Sequence, residues 1–206
     1  MEQRSNEWYN HRIGKFTASE IHKLMGIKGL GETGKSYCFE KACEIVYGID
    51  EDNNLETPDM KRGILLEPLA FRKFKELKYD EFIEVEKCGF FKFCNNSGAS
   101  PDGLVDDDGV LEIKCPRPNK FFKIVKDGID AIDKEYLFQI QKQLLATKRQ
   151  KAYFFNYLIY NGREMYHEIV IQRDEKVIEL MKERIKEAVI IRDLYIAQLK
   201  EKQQFI

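Results

Sequence analysis

Long apolar runs, paired cysteines and an excess of either charge are all missing from this 206-residue chain. No stretch approaches the ~18–20 consecutive apolar residues that a helix needs to cross a bilayer. The opening MEQRSNEWYNHR is polar and has no signal-peptide core, so a soluble protein that stays in the cytoplasm is expected. Cysteine is sparse: Cys38, Cys43, Cys88, Cys94 and Cys115, an odd number without a CxxC pair. That pattern offers neither a disulfide framework nor a zinc site, and fits free thiols in a reducing compartment. Only five prolines occur, with no Gly/Ser linker, internal repeat or low-complexity tract, which excludes collagen-like and disordered chains.

The charges nearly cancel, 34 basic against 35 acidic residues. Nucleic-acid binders that lack sequence preference are usually basic, because phosphate neutralisation supplies most of their affinity. DNA binding therefore requires local positive charge, and Lys114–Arg117–Lys120–Lys123–Lys126 and Lys148–Arg149–Lys151 are the candidate patches. What the chain does have is 43% hydrophobic residues, enough for one sizeable core and a single domain over 1–206.

Periodicity divides the chain into helical flanks and a β-rich centre. Thr17-Ala18-Ser19-Glu20 caps a first helix with the apolar stripe Ile21, Leu24, Met25. A second helix is expected over about 36–47 and a third over about 63–77, where Leu66, Leu69, Ala70 and Phe74 keep helical spacing. Strands are expected at 82–85 and 89–93, then a hairpin whose arms, 103–105 and 110–115, flank the acidic turn 106–109. A helix over 136–146 precedes a second hairpin, strands 152–160 and 164–171 about the Asn161-Gly162 turn. The chain closes on a long helix, about 173–202, with apolar positions at Val177, Met181, Ile185, Ala188, Ile191 and Tyr195. The expected fold class is α/β, a central mixed β-sheet flanked by helices.

One short pattern points elsewhere. Residues 29–36, GLGETGKS, match the phosphate-cradling G-x-x-x-x-G-K-[ST]. That loop works only directly after a buried strand, at the N-terminus of the next helix. Here residues 19–28 have the pattern of an amphipathic helix, and no apolar strand ending in a metal-holding Asp follows downstream.

The strongest chemistry lies in Ser100-Pro101-Asp102-Gly103 and Leu111-Glu112-Ile113-Lys114. Phosphodiester hydrolysis needs a divalent ion to activate water and neutralise the transition state, and Mg²⁺ is held by a few carboxylates, carbonyls and waters. With a three-residue loop, Asp106–Asp108, Asp102 faces Glu112 across the hairpin and both project on one side. Alternation puts Lys114 on the Glu112 face and leaves Ile113 pointing away with its carbonyl near the metal. Lys114 would orient the attacking water or help deprotonate it. The bland alternative is an acidic hairpin surface with an ordinary Glu–Lys pair.

At these residues the sequence resembles the PD-(D/E)xK nuclease superfamily, and within it the phage lambda exonuclease / YqaJ-type viral recombinase family. Four blocks carry the likeness: Trp8 with Arg12–Ser19; Gly63–Ala70; Ser100–Gly103 with Glu112–Pro116; and Tyr136–Gln141 with the strand Tyr153–Tyr157. The resemblance implies a restriction-endonuclease-like catalytic core over about 60–160. It also implies that Asp102, Glu112 and the Ile113 carbonyl hold one Mg²⁺, and Glu67 with Asp102 a second, with Mn²⁺ as a substitute. Arg12, Ser19, Ser100 and Gln141 would form a pocket for a 5′-terminal phosphate, with Gln139 nearby. Two positions apart on a helix, the glutamines do not share a face, and Gln141 is expected to face the site. Some superfamily relatives carry an iron–sulfur cluster, but no cysteine follows Cys115 to serve one.

The expected function is a Mg²⁺-dependent 5′→3′ exonuclease on ends of double-stranded DNA, leaving 3′ overhangs for phage-type recombination. The resemblance further implies a homotrimeric ring and a single-strand annealing protein as partner. The alternatives are an endonuclease of the same superfamily, a non-catalytic DNA-binding module, and a P-loop NTPase.

Overall fold

The computed structural model describes residues 3–49 and 57–203. Six α-helices and eight strands follow one another as α1 (Asn6–Arg12), β1 (Phe16–Thr17), α2 (Gly31–Tyr47), α3 (Pro58–Tyr79), β2 (Val85–Glu86), β3 (Phe91–Cys94), β4 (Ser97–Ala99), β5 (Gly103–Val105), β6 (Gly109–Lys114), α4 (Pro118–Asp127), α5 (Lys134–Thr147), β7 (Lys151–Tyr160), β8 (Arg163–Gln172) and α6 (Glu175–Gln203). A 3-10 helix, Ala18–Leu24, stands where the sequence leads one to expect an α-helix. The polar stretch after α2 lies partly outside the described residues. Among those residues no helix is long and apolar enough to cross a membrane.

The mixed sheet has the order β2-β5-β6-β7-β8, with β6 and β7 parallel and the other neighbours antiparallel. Its two hairpins follow the turn chemistry: Val105 pairs with Gly109 around a three-residue acidic loop, and Tyr160 with Arg163 around Asn161-Gly162. Both turn residues adopt positive φ, 50° and 73°, the conformation that Asn and Gly tolerate best. A second sheet, β1-β4-β3, has strands only two to four residues long, too short to show periodicity in the sequence.

Helices sandwich the larger sheet. Ala70 and Phe74 of α3 pack on the face bearing Leu111, Ile113, Tyr153, Phe155 and Tyr157. Ile140 and Leu144 of α5 cover the opposite face, against Val110, Ala152 and Phe154. The long helix α6 buries Met181, Ile185 and Ala188 against Phe16, Leu24, Tyr37 and the 3-10 helix, with Val177, Ile191 and Tyr195 flanking them. Burying such apolar faces stabilises at roughly 25 cal/mol per Å² removed from water.

Two boundaries differ in ways that matter for the site. Thr57 caps α3 through Met60 N–H, and Pro58 opens it, so the helix starts five residues earlier than expected. Pro68 is therefore inside the helix, and Glu67 stands in its middle. A short helix α1, capped by Ser5, precedes the expected start and carries Trp8 and Arg12.

Candidate active site

The two arms of the β5–β6 hairpin bring Asp102 and Glu112 together, with a difference from the expected geometry. Glu112 and Lys114 project toward α5, on the side of Phe154 and Asn156, their partners on β7. Asp102 does not project beside them. Strand β5 begins only at Gly103, and the Asp102 carboxylate accepts the Ile113 N–H at 2.7 Å, while Asp102 N–H donates to Leu111 O at 2.9 Å. The side chain thus lies at the strand edge and lines a cavity of about 510 Å³ with Glu67 and Ile113. Within one residue of a strand, N–H and C=O point to the same edge, so the Ile113 carbonyl faces the Asp102 side. Gly103 permits this: a Cβ there would come within 2.9 Å of Glu86 O and 3.1 Å of the Phe71 ring.

Desolvation pushes the Asp102 carboxyl well above its usual range, and the charges of Glu112 and then Glu67 push it further. The Ile113 N–H and Lys114 oppose the shift without cancelling it. The charges of Glu112 and Glu67 are thus both felt at Asp102. Lys114 goes the other way. Burial alone would lower it, but the charge and hydrogen bond of Glu112, then Asp102 and Tyr136, raise it above its normal value. Its ammonium lies 2.7 Å from Glu112 Oε1 and 4.4 Å above the Tyr136 ring. Lys114 is thus a cation that can orient an anion or a water; it is poorly suited to act as a base.

Helix α5 holds Glu112 through two glutamines one turn apart. Gln139 Nε2 donates to Glu112 Oε1 at 2.7 Å, and Gln143 Nε2 to Oε2 at 2.5 Å. Lys114 Nζ also donates to Gln139 Oε1 at 3.2 Å. Sequence reasoning missed Gln143, although its i,i+4 spacing from Gln139 places both on one helix face. The expected order of the glutamines is reversed. Gln141 turns away from the centre: its amide donates to Gln172 O at 2.8 Å and accepts Asp174 N–H at 2.8 Å, tying α5 to the β8–α6 connection.

Glu67 comes from α3 and receives Arg4 at 2.5 Å. Its helix is fastened to the end of β6 by Arg62, which donates to Cys115 O at 2.6 Å and Pro116 O at 3.0 Å. With Glu67 paired to Arg4 and Glu112 to Lys114, no three His, Cys, Asp or Glu side chains among the described residues are already gathered around one ion position. The donor chemistry nevertheless suits a hard cation: carboxylates and a carbonyl, with mutual repulsion at Asp102 that a cation would relieve.

Arg12, Ser19 and Ser100 are brought together by Trp8. The Trp8 indole N–H donates to Ser100 Oγ at 2.9 Å, and the Arg12 guanidinium stacks 4.1 Å from the ring centroid. Arg12 reaches Thr17 and Ser19 hydroxyls at 3.4 Å each. Trp8 and Arg12 line a cavity of about 990 Å³ that also receives Lys114, Glu67 and Ile113. Of the four residues expected in the anion pocket, three are neighbours and Gln141 is not.

The GLGETGKS stretch has none of the phosphate-loop setting. The element before it is the 3-10 helix, and residues from Gly31 onward are already α-helical. Lys35 is paired with Glu32 at 3.0 Å on the exposed side of α2.

The family model of the YqaJ-like viral recombinase domain matches residues 7–150. Among solved structures, the chain is similar to an alkaline exonuclease (LHK-Exo) from Laribacter hongkongensis, with TM-score 0.83 and 29% identity over 97% of this chain and 98% of that one. The same enzyme in complex with dAMP gives a TM-score of 0.84. A phage related exonuclease from Haemophilus somnus 129PT shares the fold, at TM-score 0.70 and 18% identity over 90% and 96% of the two chains. The Escherichia coli (strain K12) protein ExoD is 32% identical over 72 residues, 35% of this chain and 83% of that protein. The architecture is accordingly restriction-endonuclease-like, as the resemblance implied.

Proposed function

The chain belongs to the YqaJ-like viral recombinase domain family, and from that premise we propose that it is a metal-dependent exonuclease acting on ends of double-stranded DNA. One observation carries the reading: Asp102 is held at a strand edge, desolvated, beside Glu112 and Glu67, with the Lys114 ammonium and the Arg12 guanidinium on the adjoining cavity. Repulsion of Asp102 by Glu112 and Glu67 is costly, and a divalent cation relieves that cost. The similarity to an exonuclease solved with dAMP supports a nucleotide product.

Asp102, Glu112 and the Ile113 carbonyl would hold one Mg²⁺, and Glu67 with Asp102 a second, Mn²⁺ substituting. Such ions lower the pKa of bound water and neutralise charge gathering on the phosphoryl oxygens. Lys114 supplies a fixed positive charge and N–H donors toward the scissile phosphate or the attacking water. Gln139 and Gln143 keep the Glu112 carboxylate in one orientation. Arg12, with Ser19 and Ser100, takes the terminal 5′-phosphate, for which a guanidinium fork and hydroxyl donors are well matched. Gripping the 5′-phosphate sets the polarity as 5′→3′ and leaves 3′ overhangs. A homotrimeric ring around the duplex would reconcile persistence on DNA with a net charge of −1, and a single-strand annealing protein would receive the product strand.

The test is digestion of linear duplex DNA by the wild type and by Asp102→Ala and Glu112→Ala. Mg²⁺-dependent nucleotide release by the wild type, lost in both variants while DNA binding persists, is the expected result. No release by the wild type would refute the reading.

A further inference from the structure

Asn156 is fully buried on β7, and its side-chain oxygen has no hydrogen-bond partner. Its amide nitrogen makes one long contact, 3.4 Å to His167 O on β8. Buried amides are normally satisfied at both ends, so an acceptor left open inside a well-packed sheet calls for a reason. Its position suggests one. Asn156 is the register partner of Lys114 on the adjacent parallel strand. Paired residues point to the same face, with the strands about 4.8 Å apart. Asn156 also lines the large cavity, beside Lys114 and Tyr136.

The Lys114 ammonium has three N–H donors. One is directed to Glu112 Oε1, one to Gln139 Oε1, and the ammonium rests over the Tyr136 ring. Glu112 Oε1 already accepts from both Lys114 and Gln139, so a cation on that oxygen displaces one of the two donors, and an ammonium released from it needs another acceptor. The vacant amide oxygen next to it in the sheet is such an acceptor. We propose that Asn156 is a positioning residue of the active centre, its side-chain oxygen accepting a hydrogen bond from Lys114 when the centre is loaded with substrate. The inference rests on the nuclease reading and deepens it.

The structure makes the test selective. Asn156→Leu keeps the shape and removes both polar groups, so a purely structural amide with an open acceptor loses only the long contact to His167 O, and stability changes little. Its nuclease kcat on linear duplex DNA should fall roughly tenfold or more, as expected when a reacting group is misplaced, with KM little changed. Asn156→Asp restores an acceptor of the same shape and should recover much of kcat. In a Lys114→Met background, Asn156→Leu should cost nothing further. The proposal is overturned if Asn156→Leu leaves kcat intact, or if stability and activity fall together and Asn156→Asp does not rescue. Failure of the underlying reading looks different, because the wild type itself would then release no nucleotide.

Discussion

The carboxylate of Asp102 accepts the N–H of Ile113 at 2.7 Å, so a side chain closes the last rung of the β5–β6 ladder where a strand backbone would otherwise continue. This hydrogen bond holds the acid at the strand edge, between Glu112 and Glu67, where it is desolvated and repelled. Asp102→Asn keeps the shape and an acceptor oxygen while removing the charge. The variant should lose nuclease activity and, without metal, melt higher than the wild type at pH 8, by roughly 2–4 °C per kcal/mol of repulsion removed. The pH dependence has a definite sign. A carboxyl raised in the folded state binds its proton more tightly there, so its contribution is present below the unfolded value near 3.8 and is lost as pH rises through the folded value. Thermal melts of both proteins in EDTA from pH 4 to 9 check it.

Gln143 and Gln141 separate a site role from a scaffold role on one helix. Gln143→Leu strips the buried Glu112 Oε2 of its donor, leaving an unsatisfied charge and costing about 1–3 kcal/mol or more. Both stability and kcat should fall. Gln141→Leu breaks the ties to Gln172 and Asp174, so stability should fall by a similar amount while kcat of the folded protein changes little. Denaturant melts and steady-state rates on the two variants distinguish the effects.

Lys142 is fully buried on α5 with no hydrogen-bond partner for its ammonium, and burial pulls it down to about 7. A base lowered in the folded state is bound to fewer protons there than in the unfolded chain. Stability should therefore rise with pH between about 7 and 10, by up to about 1.4 kcal/mol per unit. Lys142→Met should remove this slope and raise stability at pH 7, as urea melts at several pH values would show.

Lys35→Ala should leave DNA digestion unchanged, because Lys35 is a helix-surface residue paired with Glu32. ATP hydrolysis by the wild type that disappears in this variant would contradict that placement.

Much of the site was legible in short-range chemistry. The three-residue loop Asp106–Asp108 set the hairpin register, and that register aligned Asp102 with Glu112. Turn residues such as Asn161-Gly162 gave away the second hairpin. What escaped depends on contacts distant in sequence or on side-chain direction. Strand β1 is two residues long and exists because Phe16 and Thr17 meet Ser97 and Gly98. Trp8 joins Arg12 to Ser100 through an indole N–H and a ring face, which no local pattern announces. The Q-x-Q spacing drew attention to Gln139 and Gln141, whereas helical geometry pairs Gln139 with Gln143.

The central claim, an exonuclease centred on Asp102, Glu112 and Lys114, is tested most directly by nucleotide release from three substrates in Mg²⁺ and in EDTA. These are linear duplex with a 5′-phosphate, the same duplex with a 5′-hydroxyl, and covalently closed circular DNA. The account predicts Mg²⁺-dependent release from the linear duplexes, faster with the phosphate, and none from the circle. Cleavage of the closed circle, or equal release in EDTA, would contradict it.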